Sequence, residues 1–117
     1  MSIGDDFLLA CKRNYFEKIT PSNKQNTINE GYIRLVKIAT EYFNRDAYVE
    51  FSGFFQEGQY FVALWAAHLM LEYGNPNPDL IGVALRIIES YSDNPLAKDV
   101  SEEERQWLEV NRSNFIR

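Results

Sequence analysis

The sequence predicts an all-α protein: a short stack of about five to six antiparallel helices in one domain. Three observations predict it. Apolar residues recur at helical spacing in most segments, no segment sustains strand-like alternation, and the segments are separated by short turns rich in Pro, Gly, Asn and Asp. With 117 residues and 45% apolar composition, the chain suits a single core. The whole of residues 1–117 is read as one domain, with an ordered core from about 6 to 111.

Asp6 is expected to cap a first helix reaching about Ile19, with Leu8, Cys11, Tyr15 and Ile19 on one face. Thr20-Pro21-Ser22-Asn23 stops it. A second helix is expected from about Lys24 to Phe43, its apolar stripe being Ile28, Tyr32, Leu35, Ala39 and Tyr42. Ala47 to Phe55 is rich in aromatic residues and could read as a strand, but a lone strand would have no partner. A short helix capped by Asp46 and ending near Gly58 is the better expectation.

The stretch from Gln59 to Tyr73, containing YFVALWAAHLMLEY, is apolar on nearly every side. Its twelve residues from Tyr60 to Leu71 make about 18 Å of helix against roughly 30 Å of hydrocarbon, so it cannot span a bilayer. It must instead be buried all round. Gly74 ends it, and NPNPD then supplies a turn in which Asn77 caps and Pro78 opens a helix lined by Leu80, Ala84, Ile87, Ile88 and Tyr91. Ser101 and Glu104 have capping-box spacing and predict a last helix to about Asn111, anchored by Trp107 and Leu108, before a frayed RSNFIR tail.

Charge is distributed unevenly. Up to Arg45 there are seven basic and five acidic residues, while from Asp46 onward there are five basic and twelve acidic. Between Asp46 and Leu85 no Lys or Arg occurs, yet Asp46, Glu50, Glu57, Glu72 and Asp79 do. Such a region repels phosphate backbones, which excludes nucleic acid as the expected partner and favours a basic protein. These five acids, with Tyr48 at an aromatic edge, are the candidate partner-binding residues. The alternative is a solvated acidic face.

Catalytic and metal chemistry find little to work with. His68 is the only histidine and Cys11 the only cysteine, so no intramolecular disulfide forms and zinc would have to depend on carboxylates. No nucleophile elbow and no phosphate-cradling glycine loop is present. His68 reads either as a hydrogen-bonded histidine in or at the rim of the core, or as a base or metal ligand. The second would require at least two carboxylates beside it in a water-excluding pocket. Asp5-Asp6 and Glu102-Glu103-Glu104 read as charges placed at helix starts. No catalytic residue, cofactor or metal is therefore expected. The lone cysteine and the absence of a leader pattern predict a cytoplasmic protein, a monomer or weak dimer.

The pairing of YFVALWAAHLMLEY with DLIGVALRIIESYS across GNPNP resembles a HEAT-type helical repeat, with Ala66-Ala67 where two helices approach closely. With NEGYIRLVKIATEYF and the closing WLE, the chain is similar to a family of small bacterial HEAT-like domains of uncharacterised function, over roughly residues 7–109. Val62-Ala63 stands where HEAT repeats often carry an arginine, so the Asp/Arg ladder of long arrays is not expected. In size and acidity the chain also resembles immunity proteins of bacterial toxin systems. That resemblance implies a non-enzymatic inhibitor that binds a basic toxin domain; the alternative is an adaptor holding a peptide or helix in a groove between hairpins.

Overall fold

A computed structural model describes residues 2–115. Their elements are α1 (Ile3–Phe16), α2 (Glu30–Asn44), α3 (Tyr48–Phe51), α4 (Val62–Tyr73), α5 (Pro78–Ser92) and α6 (Lys98–Asn111). Single 3-10 turns cover Lys24–Ile28, Ser52–Gln56 and Arg112–Asn114, and no strand occurs among the described residues. The protein is all-α, a stack of helices.

Each helix begins where local chemistry allows. Ser2, not Asp6, caps α1: its hydroxyl accepts from the Asp5 N–H at 3.1 Å and the Asp5 carboxylate returns to the Ser2 N–H. Four more residues therefore join the first helix at its start, while it ends at Phe16 and not at Ile19, and its buried face becomes Phe7, Ala10, Cys11 and Asn14. Tyr15, expected in the core, is instead largely exposed. The second helix starts six residues later than expected, because Lys24–Ile28 folds as a 3-10 turn capped by Asn23. Ile28, placed on the apolar stripe by its spacing, is 83% exposed. Asp46 does not cap α3; it takes a left-handed φ of 57° in the preceding turn, and Ala47 stands at the cap. Asn77 does cap α5, accepting from the Leu80 N–H at 2.9 Å, with Pro78 in the first turn.

α4 organises the rest. Val62 to Leu71 are all buried. Val62, Trp65, Ala66, Leu69 and Met70 pack with Phe7, Leu35, Tyr42 and Phe51 from α1 to α3. Leu64, Ala67 and Leu71 pack with Ala84, Ile88, Val100 and Trp107 from α5 and α6. Two apolar clusters thus share one rod, which is why no side of it is polar. The alanine pair divides between them, Ala66 toward one and Ala67 toward the other. Burying such a side chain contributes about 1.5–3 kcal/mol for each Leu or Met. No helix among the described residues is long and apolar enough to cross a membrane. A Cα radius of gyration of 13.1 Å is what a single body of this length has.

The C-terminal segment is more ordered than its polar sequence suggests. Lys98–Asn111 is helical from three residues before Ser101, so Ser101 and Glu104 lie inside α6 and not at its cap. The Ser101 hydroxyl reaches back to the Tyr91 and Asn94 carbonyls at 2.9 and 2.5 Å. Beyond α6 the Arg112–Asn114 turn is held by Arg112 Nη2 to Glu89 Oε2 at 2.8 Å, and Phe115 stacks on Trp107. Ile116 and Arg117 lie outside the described residues.

Candidate functional site

Two places gather chemistry: a buried charge cluster around His68, and the surface end of the stack where the acidic turns meet. In the first, α4 supplies His68 and, one turn on, Glu72; α6 supplies Glu104 and Trp107; the loop after α1 supplies Ser22. His68 is 1% exposed and Glu104 fully buried. His68 Nδ1 lies 2.8 Å from Glu72 Oε2, and Nε2 lies 2.5 Å from Glu104 Oε1 and 3.0 Å from Ser22 Oγ. The Trp107 ring stands perpendicular to the imidazole with centroids 4.6 Å apart. Beside them the Thr20 hydroxyl donates to Glu103 at 2.7 Å.

The protonation of this cluster follows from its geometry. Burial alone would drive the imidazole toward its neutral form, but Glu104 and then Glu72 outweigh it and hold the pKa up at about 9. Below that pH His68 is an imidazolium donating one N–H to each carboxylate. Ser22, His68 and Glu72 therefore have the connectivity of a nucleophile, base and acid, and the two carboxylates that an enzymatic reading demanded are present. Both ring nitrogens are nevertheless engaged by carboxylates, Nδ1 by Glu72 and Nε2 by Glu104, and Ser22 shares the Nε2 side. Among the described residues no group of His, Cys and acids is arranged to hold a metal ion. The cluster works as an ionic tie between α4 and α6.

Its cost is visible. Glu104 Oε2 is buried without a hydrogen-bond partner among the described residues. An unmade bond of this kind costs about 1–3 kcal/mol, more for a charged group. Glu104 was assigned by its spacing to a helix start; as the buried counter-ion of a histidine 36 residues away it gave no local signal.

The acid-only interval is split by the fold. Glu72 belongs to the His68 cluster. Glu57 lies beside α1, lining a cavity with Leu8, Lys12 and Tyr60. Asp46, Tyr48, Glu50 and Asp79, in contrast, come from two turns that meet. Tyr48 stacks on Phe43 at 5.0 Å and its hydroxyl accepts from the Asn75 N–H at 2.7 Å. That contact pins the α2–α3 turn to the α4–α5 turn. Gly74 permits the approach, since a Cβ there would fall 2.8 Å from the Met70 carbonyl oxygen and 3.0 Å from the Tyr48 ring. Asp46, Glu50 and Asp79 are exposed, and Val49 between them is 80% exposed. Arg45 is occupied over the Tyr42 ring, 5.4 Å from its centroid.

Compared with protein-family models, with curated proteins and with solved structures, the chain matches none.

Proposed function

We propose that this is a non-enzymatic protein-binding domain, an immunity-type inhibitor that occludes a cognate basic toxin with the acidic end of its helical stack. The observation that supports the reading is the Tyr48–Asn75 contact, which joins the neighbouring turns that carry Asp46, Glu50 and Asp79; Val49, next to Tyr48 in the chain, is 80% exposed. Acidic residues round an apolar tip suit a cationic partner: the charges accelerate and orient encounter, and the tip supplies burial once docked. The HEAT-like character of the α4–α5 hairpin, with Ala66 and Ala67 at close helix contacts, belongs to the same proposal. The His68 cluster supports it too, because His68 is engaged by Glu72 and Glu104 in joining α4 to α6.

Co-expression with the product of the adjacent gene tests this. The expected result is a complex that restores growth and associates about tenfold or more slowly when Asp46, Glu50 and Asp79 are changed to Lys. No complex and no rescue would overturn it. A second reading, an adaptor that holds an extended peptide in a groove between hairpins, is favoured by one observation, an uncharged aromatic cavity at the opposite end of α4. Salt separates the two readings, since exposed charge attraction is screened beyond about 10 Å at 0.1 M.

A further inference from the structure

The residues leading into α4 are strained. Tyr60 and Phe61 are consecutive, neither is glycine, and both are left-handed, with φ of 52° and 57°. A non-glycine residue holds this conformation only where its surroundings enforce it, and such strain gathers at functional sites. Both residues are half-buried at the N-terminal end of α4: their rings pack against the core and also border a surface cavity. Tyr60 lies 5.4 Å from Tyr15, Phe61 lies 5.3 Å from Tyr15 and 5.9 Å from Tyr91, and Phe16, 67% exposed, extends the row 5.9 Å beyond Tyr60. Lys12 covers the other side of Tyr60 at 5.6 Å.

Between these rings opens a cavity of about 670 Å³, bounded by Tyr15, Gln59, Tyr60, Phe61, Tyr91 and Asn94. None of its lining residues is charged, in a chain of which a quarter is. The two cavities that share lining residues with it, in contrast, carry charge, one through Lys12 and Glu57 and the other through Lys18, Asp99 and Glu103. The polar groups that remain are rich in donors. The hydroxyls of Tyr15, Tyr60 and Tyr91 and the Gln59 amide make no hydrogen bond among the described residues, and the Asn94 side chain uses only its oxygen, toward Leu96 N–H. A wall of aromatic faces with spare donors and no charge is complementary to a neutral ligand having apolar rings and free carbonyls.

We infer that this cavity is a docking groove for a proline-rich segment of a partner protein in the polyproline II conformation. Such a segment has that chemistry. Its pyrrolidine rings pack on aromatic faces, its carbonyls make no internal hydrogen bonds and so are free to accept, its proline residues carry no backbone N–H, and it loses little entropy on docking. The inference rests on the adaptor reading and not on the acidic end, which lies a helix length of about 18 Å away along α4.

The test is titration of the protein with decaproline, followed by backbone amide shifts. The expected result is saturable shifts confined to residues 15–16, 58–61 and 90–94, weakened about tenfold by Tyr15→Ala or Phe16→Ser. Phe16 is exposed enough that the second variant folds. The Asp46→Lys, Glu50→Lys, Asp79→Lys variant should bind decaproline as the parent does. No saturable shift with decaproline, or equal shifts with a glycine–serine decapeptide, would overturn the inference. Shifts in this groove with an alanine-rich helical peptide and none with decaproline would overturn it while leaving the adaptor reading standing.

Discussion

A histidine at the centre of the stack carries a charge that most buried histidines do not. Because its folded pKa of about 9 lies above the ordinary 6.5, the stability it contributes is complete below pH 6.5 and is lost as pH rises through 9. The full effect is roughly 3 kcal/mol. Burial also raises the pKa of Cys11 and Tyr32, which lose stability in the same alkaline direction, so the difference between the parent and His68→Gln isolates the histidine. Urea unfolding between pH 6 and 9.5 should show a fall that is steeper in the parent than in His68→Gln; parallel curves would contradict the tie. Glu104→Leu removes one partner of a buried pair and should cost about 3–5 kcal/mol, whereas Glu72→Gln, at a more exposed position, should cost about 1 or less. At Gly31 a Cβ would fall 2.1 Å from Asn14 Oδ1, and Asn14 is buried with its amide donating to the Gly31 carbonyl at 3.2 Å. Gly31→Ala should therefore destabilise by about 1–3 kcal/mol in the same assay. A buried, hydrogen-bonded His68 was one of the two readings that the sequence offered, and Glu72, one helical turn on, is close enough in the chain to be its partner. Ser22 and Glu104 were not legible, because 46 and 36 residues of chain separate them from His68 and only tertiary packing brings them in.

The elements were legible in proportion to how strongly their pattern depended on burial. α4 was plain, because a run apolar on every side has no other place in a small domain, and α5 was plain, because Asn77 and Pro78 fix its start. Where boundaries depend on caps, a neighbouring cap decided the outcome: Ser2 took the place of Asp6, and Asn23 caps a 3-10 turn that delays the start of α2 to Glu30. Ser101 is the instructive error. Its spacing to Glu104 suggested a capping box, yet inside α6 the same hydroxyl ties the helix to the end of α5 and the same carboxylate ties it to α4. Ser101→Ala should cost about 1–3 kcal/mol by leaving the Tyr91 and Asn94 carbonyls short of a donor, read as a lower thermal midpoint. Leu64→Ala, on the α5–α6 side of the rod, should cost about 3–5 kcal/mol. The left-handed Tyr60-Phe61 pair left no trace in the sequence, since aromatic residues are poor markers of that conformation.

Over the whole molecule, one apolar rod serves two clusters, and its two ends present different chemistry to solvent: acid round an apolar tip at the C-terminal end, uncharged aromatic rings at the other. The acids that lie together along the chain do not share one surface: Glu72 turns to His68 and Glu57 lies beside α1, leaving Asp46, Glu50 and Asp79 on the neighbouring turns. The central claim is that the protein acts by being bound at that end. The direct measurement is an amide shift map of the labelled protein in complex with the adjacent gene's product, taken at low and high salt. Shifts concentrated at Asp46–Glu50 and Asn75–Leu80, with affinity falling as salt rises, are the predicted result. A salt-insensitive complex mapped to α1 and α2 would contradict it.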